Sequence, residues 1–394
     1  MRVAYICADP GVPVFGRKGC SVHVQEMIRA LRRRGAEIEL FATRWGDRPP
    51  DDLRDLRVHA LPAIVASEPA ERERRSLAAN RELVRRLDRS EPFDLVYERY
   101  SLWSFAGMAW ARRRGCASIL EVNAPLVEEQ AAHRQLSNRR LAEQIAQRTF
   151  DAAGVVAAVS TAVADHVAQC TSRPRQIEVV PNGVDTRRFQ HESPARNPSL
   201  SHRPVTIGFV GSLKPWHGVP TLVDAFAAVH AGWPNTQLII VGDGPDRAAI
   251  ERQLTERHVR SASRLYGAVR PEVVPRLLQD IDIAVAPYPS MTGFYFSPLK
   301  VLEYMAAGRA IAASRIGSLA EWIDHGVQGL LVRPGDAADL AHAIQILVRD
   351  SELRTRLGRA ARLAAVLRHS WDAVADRVLH LAAIETRPAA RAGV

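Results

Sequence analysis

Residues 294–308 read FYFSPLKVLEYMAAG, a loop running into a helix. Ser297 has the side chain of an N-cap, whose hydroxyl accepts from a first-turn amide. Pro298 suits the first helical position, where a missing N–H costs nothing. Gly308 suits a left-handed stop. Lys300 stands in the first turn, against the positive end of the helix dipole. A cation added to the free amides of a helix N-terminus is fitted to hold an anion such as phosphate. Glu303, three residues on, shares a face with Lys300 and sets a carboxylate acceptor one turn deeper. That set suits a phosphate joined to a polyhydroxylated group, as in a nucleotide. An amphipathic helix with an ordinary i,i+3 ion pair reads equally well from the same residues.

Outward from this stretch the chain alternates strand and helix. Toward the C-terminus come a strand at 310–314, a helix at 319–324, a strand at 329–332 and helices at 337–349 and 352–381, the last broken near His369-Ser370. Toward the N-terminus, strands are expected at 205–210, 237–241, 263–266 and 281–286. GSLKPWHG follows the first of these and GDGPD the second. In GSLKPWHG, glycine lets backbone approach a ligand, Ser212 offers a hydroxyl, and Lys214 and His217 offer donors. GDGPD, with Gly242, has GxG without a third glycine and is a weak dinucleotide fingerprint.

The first half repeats the pattern. A strand at 3–8 leads into a glycine loop. A helix at 22–34 follows with Ser21 as cap, and then a strand at 37–42. Gly16, Lys18 and Gly19 lie where open α/β sheets bind ligands, past a strand's C-terminal end. Asn123 follows a strand at 118–122, with Glu128 on the next helix start. Capping and turn chemistry account for Asn123 equally well. Residues 191–204, HESPARNPSLSHRP, are rich in Pro, Ser and Asn and read as a linker. The expected architecture is α/β: two doubly wound parallel-sheet domains with a cleft between them.

The 394 residues suffice for two cores, and the net charge is +10. It is spread: 30 Lys and Arg stand against 24 Asp and Glu before residue 191, and 23 against 19 after it. With no basic tail or patch, nucleic acid is not an expected partner. A bias toward nucleotides or an anionic membrane surface remains. The Arg-rich helical stretch 71–89 reads as a solvated surface helix or as a membrane-surface one. Of the 53 basic residues only Lys18, Lys214 and Lys300 are lysines, each within two residues of Gly or Pro. A compact ammonium there suits phosphate. Cys7, Cys20, Cys116 and Cys170 show no metal-ligand spacing and read as small buried hydrophobes in a reducing compartment. No apolar run approaches membrane-spanning length, and the N-terminal apolar run is too short for a signal peptide to be expected. A cytoplasmic protein is expected, with peripheral contact on the inner membrane face left open.

Taken together, PNGVD at 181–185, GFVGSLKPWHGV at 208–219, VGDGP at 241–245, DIAVAPY at 282–288 and SPLKVLEYMAAG at 297–308 resemble the retaining glycosyltransferases of family 4. The resemblance implies a GT-B fold with two Rossmann-like domains facing across a cleft. Its expected parts are an acceptor-side domain at 1–190, a linker at 191–204, a nucleotide-sugar domain at 205–368, and a C-terminal helix at 369–394 crossing back to the first domain. It implies transfer of a sugar from a nucleotide-diphosphate sugar with retention of configuration.

By the resemblance, Glu303 matches the second Glu of an E-x7-E motif and hydrogen-bonds ribose hydroxyls. Tyr295 stands where the first Glu is usual, which leaves the donor sugar open. Ser212 and His217 stand at the usual diphosphate-binding Arg and Lys, so Lys214 and Lys300 are expected to supply the charge. Asn123 stands where a His is often found and, with Glu128, is expected to position the acceptor. Gly16, Lys18, Gly19, Gly242, Ser297 and Leu299 complete the expected nucleotide-sugar contacts.

The implied mechanism is front-face substitution. Lys, His and helix-end amides stabilise the leaving diphosphate, whose oxygen takes the acceptor proton. No DxD motif stands at a strand end, and neither a metal nor another cofactor is expected. The expected partners are a UDP-, GDP- or ADP-sugar and a carbohydrate, glycolipid or small-molecule acceptor. A GT-B epimerase or hydrolase, a non-catalytic sugar-nucleotide binder and a nicotinamide dehydrogenase are the alternatives, the last disfavoured by the missing GxGxxG.

Overall fold

The computed structural model describes residues 1–189 and 203–386. These form two compact units. One holds Met1–Asn182, Tyr295–Ser297 and the segment from Trp371; the other holds Gly183–Phe294 and Pro298–Ser370.

In the first unit the elements run β1 (Arg2–Cys7), α1 (Gly19–Arg33), β2 (Glu37–Ala42), β3 (Arg57–Ala60), α2 (Pro69–Arg89), β4 (Leu95–Arg99), α3 (Ala106–Arg114), β5 (Ala117–Val122), α4 (Leu126–His133), α5 (Arg139–Ala152), β6 (Val155–Ala158), α6 (Thr161–Cys170) and β7 (Ile177–Val179). The strands lie in the order β3-β2-β1-β4-β5-β6-β7, every neighbouring pair parallel. Strands such as VAYIC and SILEV are buried along their whole length because helices cover both faces of the sheet. The order reverses between β1 and β4, and the crevice beyond their C-terminal ends is where such sheets hold ligands.

The second unit runs β8 (Val205–Val210), α7 (Val219–Gly232), β9 (Thr236–Val241), α8 (Arg247–Glu256), β10 (Ser263–Gly267), α9 (Val274–Gln279), β11 (Ile283–Ala286), α10 (Leu299–Ala306), β12 (Ala310–Ser314), α11 (Gly317–Trp322), β13 (Leu330–Val332), α12 (Ala337–Arg349) and α13 (Ser351–Arg368). Its sheet is again parallel, in the order β10-β9-β8-β11-β12-β13, with the reversal between β8 and β11. Residues 183–189 pack with this unit: the Val184 amide donates to the His369 carbonyl at 2.8 Å, and Arg362 donates to the Phe189 carbonyl at 3.2 Å.

The final helix, α14 (Trp371–Thr386), belongs to the first unit. Arg33 at the end of α1 and Arg34 just after it meet Asp372 and Asp376 at 2.7 and 2.6 Å, and the Trp371 ring stands edge-on to His23 at 4.8 Å. The expected linker at 191–204 lies outside the described residues except for its last two.

Two expected caps are corrected. Ser21 is buried within α1, which begins at Gly19 behind Lys18. Ser297 does not cap α10; Pro298 takes that place with no side-chain bond, and the Ser297 hydroxyl instead accepts the Asn182 amide at 3.3 Å. The C-terminal stop of α10 is as expected. Gly308 has φ +65°, its amide reaches Met305 O, and Arg309 N reaches Tyr304 O, the two bonds of a Schellman motif.

Candidate functional site

The second unit gathers its expected residues around the β8–β11 reversal. The Tyr304 hydroxyl accepts from the Val210 amide at 2.8 Å and thereby fastens α10 to the end of β8. One turn earlier on the same helix, Lys300 lies under the Gly211 backbone. Its side chain is partly exposed, but Nζ itself is shut off from solvent and has no hydrogen-bond partner among the described residues. The ammonium rests 4.4 Å from the Phe209 ring centre and 5.2 Å from that of Tyr288. Burial pulls its pKa down to about 7 against the attraction of Glu303. The i,i+3 pair is therefore not closed by a hydrogen bond. Burial in turn pushes the Glu303 carboxyl up to about 7, against Arg188 and Lys300.

The loop after β8 is pressed against the loop after β9. Gly242 has φ +138°, and a Cβ there would fall 1.8 Å from the Gly211 carbonyl oxygen, so only glycine fits. The Lys214 ammonium sits 4.7 Å over the Trp216 ring.

His217 departs from expectation. Burial, followed by the charges of Lys300 and Lys214, lowers its pKa to about 4 despite a bond to Ser212. Its Nδ1–H donates to the Ser212 carbonyl at 2.5 Å. A neutral imidazole has one N–H, and this one is spent, so His217 brings no free donor to the loop.

Ser297, with Tyr295, is held in the first unit. Tyr295 O accepts from the Ser160 hydroxyl at 2.9 Å, and its own hydroxyl donates to Glu129 on α4. Asn182 Nδ2 donates to Ser297 O at 3.2 Å.

Also in the first unit, Gly16 turns back on Pro13, and its carbonyl accepts from Gln25 at 3.0 Å. Lys18 and Gly19 are exposed at the start of α1. Asn123 donates through Nδ2 to Glu121. Glu128 is exposed, 3.4 Å from His166. Glu121 is the centre of a buried set: His23 at 2.7 Å, Arg99 at 2.8 Å and the Tyr97 hydroxyl. Burial alone would raise its pKa, but His23 and Arg99, with Tyr97, hold it well below the usual carboxylate range. A shallow uncharged recess is lined by Ala8, Thr43, Leu61, Ser76, Ser101 and Trp103 among others. Among the described residues no three His, Cys, Asp or Glu side chains are grouped to hold a metal.

Residues 17–188 match the family model described as Glycosyltransferase Family 4, and residues 204–350 the model described as Glycosyl transferases group 1. The chain belongs to this glycosyltransferase family. A D-inositol 3-phosphate glycosyltransferase of Corynebacterium jeikeium is 29% identical over 431 residues, covering 100% of this chain and 99% of that protein. An alpha-maltose-1-phosphate synthase of Mycolicibacterium smegmatis is 27% identical, covering 97% and 98%. Anabaena HepE, solved with UDP, shares the fold at a TM-score of 0.72 and 20% identity, over 98% of this chain and 100% of that one. The two doubly wound sheets are those of the GT-B fold.

Within this glycosyltransferase, sequence reasoning missed Glu121 with His23 and Arg99, and the use of Glu129 by Tyr295. The signal for the first was a Glu inside an otherwise apolar strand, SILEV, since a carboxylate in a strand buried on both faces must be paired. The second left no signal, because Glu129 and Tyr295 are 166 residues apart.

Proposed function

We propose that this glycosyltransferase moves a sugar from a nucleotide-diphosphate sugar to an acceptor hydroxyl with retention of configuration and without a metal ion. The observation that carries the reading is Lys300: a buried ammonium with no hydrogen-bond partner, set under glycine backbone at a sheet reversal. An uncompensated buried cation is costly, and a diphosphate is the partner that would offset that cost. Leu299 and Lys300 open a helix whose first turn no side chain caps, so its amides add to the same charge. Glu303, one turn deeper, accepts from the ribose hydroxyls. Ser212 and Gly242 let backbone approach the phosphates, and Lys214 leaves the Trp216 face to join them. His217, being neutral, shapes the loop rather than supplying charge.

In the step itself the glycosyl–phosphate bond breaks while the acceptor oxygen bonds the same face of the anomeric carbon. The bonding electrons go to the departing diphosphate, and its oxygen takes the acceptor's proton. Lys300 and Lys214 stabilise the charge that develops there. Asn123 and Glu128 orient the acceptor hydroxyl. Gly16, Lys18 and Gly19 lie on the same side of the first sheet as these groups, past its C-terminal strand ends.

The test is a thermal-shift screen of UDP, GDP, ADP and their sugars, followed by turnover with the sugar that binds. Lys214→Ala and Lys300→Ala should each lower kcat/KM by at least about tenfold, about 1.4 kcal/mol of lost transition-state stabilisation. Wild-type turnover in both variants would remove the phosphate assignment. EDTA should leave the rate unchanged; its loss would overturn metal independence.

A further inference from the structure

The outward face of α13 carries an apolar cluster that the reaction does not use. Leu363, Val366 and Leu367 are 59%, 41% and 65% exposed. Their i, i+3, i+4 spacing puts them on one side of the helix. The opposite side holds the helix to the second unit through Leu357, Gly358, Ala361, Ala364 and Ala365, all buried. Toward the N-terminus the exposed face continues through Arg359, seven residues before Val366, and Arg356, eleven before Leu367, both helical repeats. Two other arginines of this helix are occupied: Arg354 donates to the Val348 carbonyl at 3.1 Å, and Arg362 to that of Phe189 at 3.2 Å. Arg356 and Arg359 make no hydrogen bond or ion pair among the described residues. The one acid on this face is Glu352, in the first turn.

We propose that this face of α13 docks on an anionic lipid bilayer. Apolar side chains beside guanidinium groups on one helix face are the arrangement of helices that lie in a membrane interface. Leu363, Val366 and Leu367 enter the headgroup boundary while Arg356 and Arg359 meet lipid phosphates. A second copy of the chain fits less well, since pairing this face with itself would desolvate Arg356 and Arg359 with Glu352 as the one carboxylate nearby. The net charge of +10 adds long-range attraction to an anionic surface. No described helix is long and apolar enough to cross a membrane, so the contact is one of surface.

The experiment is co-sedimentation of the full chain with vesicles of phosphatidylcholine alone or with added phosphatidylglycerol. The wild type should bind the mixed vesicles, and salt should weaken that binding. Leu363→Ser with Leu367→Ser, and Arg356→Glu with Arg359→Glu, should each lower partitioning at least about tenfold with Tm unchanged. Arg74→Glu with Arg75→Glu and Arg81→Glu, on the exposed basic face of α2, should retain binding. Failure of the wild type to bind would overturn the proposal. So would wild-type binding by the α13 variants, or loss confined to the α2 variant. A concentration-dependent wild-type oligomer that Leu363→Ser with Leu367→Ser makes monomeric would replace it with self-association.

Discussion

Lys300 and Glu98 carry opposite lessons about a buried charge. Lys300 has a folded pKa near 7 against an ordinary 10.5, with burial the main cause and Glu303 opposing. Below pH 7 the folded protein bears the whole cost of the ammonium, and that cost fades as pH rises from 7 toward 10.5. Lys300→Met should therefore stabilise the ligand-free protein by about 2–4 kcal/mol at pH 6, with the gain vanishing at high pH; the figure is discounted for the partial exposure of the side chain. Urea unfolding at several pH values measures this. A destabilised Lys300→Met would mean that the ammonium already has a partner. Glu98 is fully buried with Oε2 unpartnered; burial pushes its pKa from 4.5 to about 7, against bonds from Ser104 and the Met108 amide. A raised carboxyl pKa stabilises below 4.5 and is lost as pH rises through 7. Relative to Glu98→Gln, the wild type should lose about 3 kcal/mol of unfolding free energy between pH 4.5 and 8. Parallel pH profiles for the two proteins would contradict this.

At the scale of elements, what local chemistry dictates was legible. Gly308 ends α10 in the expected left-handed turn, and the last long helix breaks at His369-Ser370 as its sequence implies. What escaped depended on distant partners. Ser297 looks like a cap, yet Asn182, 115 residues away, takes its hydroxyl. His217 looks like a donor, yet the Ser212 carbonyl five residues back takes its N–H, and burial, with two nearby lysines, keeps the ring neutral. Lys300 stood out in the sequence as a cation at a helix start, but its lack of a partner is a property of the packed loops. The two glycines that define these elements should separate by experiment. At Gly308 a Cβ would find its nearest neighbour at 3.6 Å, so Gly308→Ala should cost only the left-handed strain, about 1 kcal/mol. At Gly242 it would collide with the Gly211 carbonyl, so Gly242→Ala must move one loop and should abolish nucleotide-induced stabilisation. Equal effects from both substitutions would show that the loop contact is not needed.

At the scale of the molecule, the parallel order β10-β9-β8-β11-β12-β13 accounts for the place of the proposed ligand site. The reversal between β8 and β11 parts the loops beyond their C-terminal ends, and α10, pinned there by Tyr304, delivers Lys300 into the gap. The fold thus stores an unfavourable cation at a reversal point, and the proposed diphosphate is the partner that would satisfy it. The most direct test is calorimetric titration of the wild type and Lys300→Ala with UDP, GDP and ADP. The account predicts that one of the three binds the wild type and that Lys300→Ala weakens that binding at least about tenfold, about 1.4 kcal/mol. Equal affinity in the two proteins, or no binding by any of the three, would contradict it.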